Sequence, residues 1–178
     1  MPFANFKGRD LRRGCTVRPI RIGVIGERET TADLWEAAEA VGREVARRGG
    51  VLVCGGMGGV MEAASKGAQE AGGIVVGILP TPTEEGGNPY VTIPIPTGMG
   101  EGRNILVVRA AHAVIALGGW YGTLSEIAYA LALGVPVVGI ATWTVRRPGL
   151  EEDPILRAQD PLDAVDLAWR AAERIALR

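Results

Sequence analysis

Short apolar runs alternate with longer amphipathic stretches along most of this chain. Runs of apolar, mostly β-branched residues predict strands at 21–26, 51–54, 74–79, 113–117 and 135–140. Between the first two runs, apolar side chains recur at the helical spacing of four and three residues, at Leu34, Ala38, Val41 and Val45. Similar stretches predict helices at 31–48, 60–71, 102–110, 127–133 and 160–175, several of them closed by glycine.

Two segments carry no clear period. Residues 80–100 contain five of the eleven prolines, and within them 91–96 are expected to be an edge strand or an extended loop, because proline lacks a backbone N–H. Residues 142–158 are expected to be a loop. The repeated strand–helix units predict an α/β fold: a single Rossmann-like domain over residues 19–178, with a parallel β-sheet and helices on both faces.

Charge and composition narrow the function classes. The formal net charge of −1 gives no reason to expect nucleic acid or an anionic membrane as a partner, and no apolar run is long enough to span a membrane. Because the two cysteines also make no disulfide framework, which fits a reducing compartment, the sequence predicts a cytoplasmic protein. Residues 1–18 are locally basic and are expected to form a flexible N-terminal arm, with a phosphate-binding patch as the alternative.

Cysteine and histidine give no sign of a metal site. Cys15 and Cys54 are too few for a disulfide framework, and His112 has no Cys or His companion at a ligand spacing. Cys54 ends a predicted strand and is expected to be a small core residue. We expect no metal and no resident cofactor.

Glycine-rich segments stand where predicted strands end, and in a parallel sheet these ends share the edge outside which ligands bind. The 118–122 turn links a strand to a helix, so its free backbone N–H groups and the helix dipole suit a phosphate. The 55–59 loop lacks the Gly-Lys-Ser/Thr ending of a P-loop, so helix packing and phosphate contact both stay open for it. The candidate ligand-binding residues are Gly26, Gly55, Gly56, Met57, Gly58, Gly59, Gly118, Gly119, Trp120, Tyr121, Gly122 and Thr123.

Two charged residues flank these segments. Glu126 follows the 118–122 turn and is either a catalytic carboxylate or the acid of a capping box that begins at Thr123. Arg103 is predicted just inside a helix start, where the helix dipole disfavours positive charge. That position favours anion binding, with a salt bridge to Glu101 as the alternative.

The same segments resemble the Lonely Guy family. Residues 118–126 are similar to its Pro-Gly-Gly-x-Gly-Thr-x-x-Glu motif, and Arg103 stands fifteen residues before Gly118, as the family's arginine does before the motif's proline. The 55–59 loop and the residues after it are similar to the family's glycine-rich phosphate loop. The resemblance covers roughly residues 20–140, in order.

The resemblance implies a Rossmann-like homodimer or larger assembly. It also implies hydrolysis of the N-glycosidic bond of nucleoside 5′-monophosphates to free base and ribose 5-phosphate. By position, Arg103 and Glu126 become the catalytic pair. Glu126 would stabilise oxocarbenium-like charge on the sugar, the glycine loops would hold the phosphate, and Arg103 would position the ligand and keep Glu126 ionised.

The chain also departs from the family motif. Glu101 and Asn104 stand where the family has histidine and lysine, Gly118 replaces the motif's proline, and Trp120 replaces its second glycine. Trp120 is expected either to pack on the sheet or to stack on a base. These features are similar to those of a divergent bacterial branch, itself similar to algal carriers that bind the molybdenum cofactor, a phosphorylated pterin, without hydrolysing it.

Two hypotheses follow for a protein that binds a small phosphorylated ligand. It hydrolyses nucleoside monophosphates, or it is a non-catalytic carrier or sensor of a ligand such as the molybdenum cofactor. A pyridoxal-phosphate lysine decarboxylase is not expected, because such an enzyme needs a lysine to form a Schiff base with the cofactor. The two lysines of this chain, Lys7 and Lys66, lie in the arm and inside a predicted helix. Apolar residues on more than one face of helices 102–110 and 127–133 predict a homodimer or higher homo-oligomer.

Overall fold

The computed structural model describes residues 18–149 and 151–176, which form one parallel sheet with helices on both sides. The strands are β1 (Arg21–Gly26), β2 (Val51–Cys54), β3 (Ile74–Leu79), β4 (Ile93–Pro96), β5 (Ala113–Leu117), β6 (Val137–Ile140) and β7 (Leu156–Arg157). The helices are α1 (Ala32–Arg47), α2 (Val60–Glu70), α3 (Asn104–Ala110), α4 (Tyr121–Ala132) and α5 (Pro161–Ala176), and Gly100–Arg103 form a 3-10 helix. Across the sheet the order is β4-β3-β2-β1-β5-β6-β7.

The predicted α/β architecture is confirmed. Alternate residues of β1 point to opposite layers: Ile22 and Val24 join the core under α1, α2 and α5, and Ile25 joins the core under α3 and α4. The chain leaves β1 toward β2 on one side and later returns to β5 on the other. The carboxyl ends of β1 and β5 therefore flank the crevice where doubly wound sheets bind ligands.

The strand predictions hold with small corrections. Residues 93–96 form β4 at the sheet edge, where it pairs with β3 alone among the described strands and the prolines are tolerated. Strand β6 begins at Val137 rather than at residue 135, because the N–H of Val135 donates to the carbonyl of Ala130 and closes α4. The predicted 142–158 loop contains the short edge strand β7, which is too brief to produce a period in the sequence.

Several predictions concern parts of the chain that the structure does not describe. Apart from Arg18, the predicted basic arm, residues 1–18, lies outside the described residues, and so does Cys15. Cys54 is described and lies fully buried in the core, as predicted. Among the described residues, no helix combines the length and the apolar character that crossing a bilayer requires.

Helices α1 and α2 cross in direct backbone contact. A Cβ atom added to Gly42 would lie 1.9 Å from the carbonyl oxygen of Ala64, and one added to Gly67 would lie 1.9 Å from that of Glu39. Both glycines are buried, and a side chain at either position would force the helices apart. This contact brings α2 and the 55–59 loop that precedes it against the sheet.

We expect Gly42→Ala to lower the free energy of unfolding by about 2 kcal/mol or more, because the helices cannot separate without opening the core. Urea unfolding followed by circular dichroism measures the change. Gly122→Ala in α4 is the matched control, since among the described residues no atom outside its chain neighbours and its own helix backbone lies within 4 Å of the added methyl group. Equal stability of Gly42→Ala and the unsubstituted protein would contradict the close crossing.

Candidate functional site

A cavity of about 750 Å³ opens at the carboxyl ends of β1 and β5. Its volume is in the range of small-molecule sites. The walls come from the β1–α1 loop, the 3-10 helix and the first turns of α4. The lining residues are Gly26, Glu27, Arg28, Glu29, Met61, Glu101, Gly102, Arg103, Asn104, Trp120, Tyr121, Gly122, Thr123, Ser125, Glu126 and Tyr129.

Arg103 forms the buried floor of this cavity. Its residue surface is only 3% exposed, and the side chain donates from Nη2 to the carbonyl of Gly55 (3.2 Å) and from Nη1 to Oδ1 of Asn104 (2.7 Å). A Cβ atom at Gly55 would lie 2.3 Å from Nη2, so this glycine makes room for the guanidinium. Among the described residues, the buried Nε of Arg103 has no hydrogen-bond partner.

Glu126 lies beside Arg103 but is not held as a carboxylate. Its Oε1 is 3.7 Å from Nη1 of Arg103, and the residue is 7% exposed. Burial raises the pKa of Glu126 to about 8, although the positive charge of Arg103 opposes the rise. Burial also lowers the pKa of Arg103, which nonetheless stays charged. Arg103 thus favours the ionised form of Glu126, as expected, but burial outweighs this attraction and the pKa rises overall.

The capping-box interpretation of Glu126 is wrong as well. Helix α4 begins at Tyr121, Trp120 is its N-cap, and no side chain among the described residues caps the helix. Thr123 is therefore the third residue of the helix and not its N-cap, and Glu126 lies one turn too far along to be the acid of a capping box. The sequence signal misleads here because the glycine turn continues directly into the helix without a capping side chain.

Arg103 does not pair with Glu101 either. Glu101 forms a salt bridge of 2.6 Å with Arg28, and both side chains are largely exposed. The pair joins the β1–α1 loop to the 3-10 helix across the cavity mouth. Glu101 still acts on the interior, because its negative charge raises the pKa of Glu126 while Arg28 lowers it.

The residues of the 118–122 turn occupy two environments. Tyr121, Gly122 and Thr123 form the first turn of α4 and line the cavity, so the helix start faces the space where a ligand would lie. Gly118 and Gly119 have their N–H groups occupied: Gly118 donates to the carbonyl of Ile140 (3.1 Å) and Gly119 to Oε2 of Glu27 (3.1 Å). Their contact with a phosphate stays a prediction.

The 55–59 loop lies behind the cavity rather than in its wall. Gly55 holds Arg103, Gly56 accepts from the N–H of Asn88, and Met57 accepts from its side-chain amide. A Cβ atom on Gly59 would lie 2.3 Å from the carbonyl of Glu27, so the loop packs tightly under the end of β1. Gly58 also lies against this segment. Close packing against Arg103 and the end of β1 thus accounts for Gly55 and Gly59, and the phosphate contact of the whole loop stays a prediction.

Trp120 does not pack on the sheet. The residue is 71% exposed, and it lines both the main cavity and a second one of about 400 Å³. Tyr121 is 74% exposed, and its ring lies 5.8 Å from that of Trp143 between ring centroids. Stacking on a ligand remains the predicted role of Trp120.

Several cavity residues were not predicted. Glu27 and Arg28 follow Gly26 directly at the end of β1, and that position is the signal that could have found them. Asn104 orients the site, since its Oδ1 accepts from Arg103 and its Nδ2 donates to Oγ of Ser125 (3.1 Å), which links α3 to α4. Nothing in the sequence pattern predicts this hydrogen-bonded link through Asn104.

The family model described as the SLOG cluster4 family matches residues 19–165. The chain belongs to the SLOG cluster4 family. A protein of Archaeoglobus fulgidus described as uncharacterized is 46% identical over 121 residues, which are 68% of this chain and 80% of that protein.

Other relatives agree with this assignment. The cytokinin riboside 5′-monophosphate phosphoribohydrolase LOG of rice (Oryza sativa subsp. japonica) is 38% identical over 100 residues, which are 54% of this chain and 41% of the rice protein. The molybdenum cofactor binding protein of Rippkaea orientalis superposes with a TM-score of 0.79 at 34% identity, covering 86% of this chain and 97% of the other. The molybdenum cofactor carrier protein of Chlamydomonas reinhardtii gives 0.78 at 32%, covering 88% and 99%. The predicted resemblance is confirmed.

Because Glu126 binds its proton more tightly in the folded chain, stability should fall as pH rises from about 4.5, the ordinary carboxyl value, to about 8. Over this window the unfolded chain loses a proton that the folded chain keeps. The loss approaches about 1.4 kcal/mol per pH unit at its steepest. Glu126→Gln removes this dependence, so the stability of the variant relative to the unsubstituted protein should increase from pH 5 to pH 7.5.

Urea unfolding at several pH values measures this difference. Glu173→Gln is the control, because Glu173 is an exposed carboxylate on α5. If the difference in unfolding free energy between Glu126→Gln and the unsubstituted protein stays constant with pH, the assignment of a protonated Glu126 is wrong.

Proposed function

We propose that this cavity binds an anionic, phosphorylated heterocycle of the molybdenum cofactor class and holds it without cleaving it. The observation that carries the proposal is the buried guanidinium of Arg103 at the floor of the cavity, whose Nε has no hydrogen-bond partner among the described residues. Arg103 is a buried cation, and its buried neighbour Glu126 is mostly neutral at pH 7. A buried guanidinium without an ionised partner is costly, and an anion entering the cavity would compensate it.

The polar groups around the floor suit a phosphate. The start of α4 presents backbone N–H groups at Gly122 and Thr123, and Arg28 stands at the mouth. The buried Nε of Arg103 is a further donor that has no partner among the described residues. The exposed ring of Trp120 offers a surface for a flat heterocycle. The full-length similarity to two molybdenum cofactor binding proteins supports this ligand class.

Hydrolysis of a nucleoside monophosphate is the second candidate, because Arg103 and Glu126 occupy the positions of the catalytic pair and meet in one cavity. The ionised form of Glu126 is needed to stabilise positive charge on the sugar. A bound phosphate near Arg103 would raise the pKa of Glu126 further, since like charges oppose ionisation. Binding of the anion therefore works against the charged carboxylate, which favours retention over cleavage.

To test this, molybdenum cofactor, AMP and GMP are each incubated separately with the purified protein. Gel filtration measures how much ligand stays bound, and chromatography measures the release of free base. We expect retention of an intact ligand. Arg103→Lys should weaken binding about tenfold, because lysine lacks the planar fork of donors. Arg109→Lys on the exposed side of α3 is the matched control.

The outcomes separate the two functions. Free base released by the unsubstituted protein and not by Glu126→Gln, with a rate that rises toward pH 8, would replace the carrier proposal by the hydrolase. Undiminished binding by Arg103→Lys would refute the role of the floor in either function.

We also propose a homodimer formed through α4. Glu126 is the one charged residue of this helix and it is buried, so the exposed face carries Ala128, Tyr129, Ala132 and the adjoining Leu133. Tyr129 belongs to this face and to the cavity wall. An apolar helix face of this kind is typical of a subunit interface.

Light scattering should give about twice the chain mass of 18.7 kDa. Tyr129→Glu should halve it, because a charge would be buried in the interface. Leu162→Glu is the control, since Leu162 is similarly exposed but lies on α5, on the opposite side of the sheet. A monomeric mass for the unsubstituted protein over a wide concentration range would rule the dimer out.

A further inference from the structure

The two cavities share one wall. Glu27, Trp120 and Tyr121 line both the 750 Å³ cavity and the 400 Å³ cavity. Glu27 brings a half-buried carboxylate to this wall, and Trp120 brings an exposed aromatic ring. A ligand in either cavity can therefore meet an acceptor of hydrogen bonds and a stacking surface together.

The turn at Gly118 and Gly119 holds the Glu27 carboxylate in place. Gly118 has a φ of +55°, which a proline cannot adopt because its ring fixes φ near −65°. A Cβ atom on Gly118 would lie 3.2 Å from Oε2 of Glu27, so the absence of a side chain leaves room for the carboxylate. Oε2 then accepts the N–H of Gly119 at 3.1 Å. Oε1 of Glu27 makes no hydrogen bond or salt bridge to the other residues that the structure describes.

An ionised carboxylate only accepts hydrogen bonds, so it selects a heterocycle edge that only donates. The 2-amino-4-oxopyrimidine ring, which pterins and guanine share, presents a ring N–H and an adjacent amino group. Adenine presents a ring nitrogen acceptor at the corresponding place, which a carboxylate repels. Stacking on Trp120 favours any flat base and adds affinity without choosing among them.

We propose that Glu27 is a specificity-determining residue that selects 2-amino-4-oxopyrimidine ligands, pterin or guanine, while they stack on Trp120. This inference rests on the proposed binding of a phosphorylated heterocycle. It adds which edge of the heterocycle Glu27 recognises. Gly118, which leaves room for Glu27, and Trp120, which lines the same two cavities, stand at the two places where the 118–122 turn departs from the Lonely Guy motif.

Titration calorimetry with GMP, IMP, AMP and 6-hydroxymethylpterin phosphate tests the selection. GMP should bind about tenfold or more tightly than AMP, the discrimination typical of one bidentate contact. IMP, which keeps the ring N–H but lacks the amino group, should fall between them. Pterin phosphate binding more tightly than GMP would assign a pterin cargo, and the reverse order would assign a guanine nucleotide; either order supports the role of Glu27.

Substitutions separate selection from folding. In Glu27→Gln the amide oxygen can still accept from Gly119, but its NH2 group faces the ligand as a donor. The ratio of GMP to AMP affinity should therefore collapse, whereas a structural defect would weaken both ligands alike. Trp120→Ala should weaken all four ligands by a similar factor. Glu36→Gln is the matched control, because Glu36 is an exposed carboxylate on α1 that lines neither cavity.

Equal affinities for GMP and AMP, unchanged in Glu27→Gln, would overturn the selection by Glu27 and leave the proposed binding function intact. An absence of binding for all four ligands would overturn both.

Discussion

The burial of the Arg103 guanidinium is the constraint on which the site depends. To receive it, the chain places Gly55 where any side chain would collide, and positions Asn104 as an acceptor. Helix α4 lies close enough for its Glu126 to face the guanidinium. Burial then decides the protonation of the neighbouring carboxyl group, because desolvation outweighs attraction to the cation at this distance. One buried charge thus fixes the loop behind the cavity, the bridge between two helices and the chemistry of the floor.

Much of the fold could be predicted because its strands are continuous apolar runs, and the parallel order follows from the helices between them. The edge strand β7 could not, since two residues carry no period. The start of α4 was misplaced because residues 121–126 are mixed in character, and only the packing of Thr123 and Glu126 shows that they are already helical. The positions of Arg103 and Glu126 in the sequence were enough to identify them as site residues. Their protonation depends on how deeply they are buried, which the spacing of residues does not predict.

The departures from the Lonely Guy motif gain a physical meaning in three dimensions. Considered one at a time, the replacement of proline by Gly118 and of glycine by Trp120 has no evident reason. In the structure they stand together with Glu27, whose carboxylate uses the space and the N–H group that the glycine turn provides. The 118–122 turn and Glu27, which follows another strand, thus form one local arrangement. Comparing motifs along the sequence does not reveal it.

The salt bridge between Arg28 and Glu101 has a kinetic consequence. Its side chains are mostly in solvent, and exposed pairs of this kind contribute only about 0 to 1 kcal/mol. Such an ion pair opens readily by thermal motion and is weakened by salt, so it cannot hold a ligand inside the cavity. The residence time of a ligand would therefore be set by contacts deeper in the molecule.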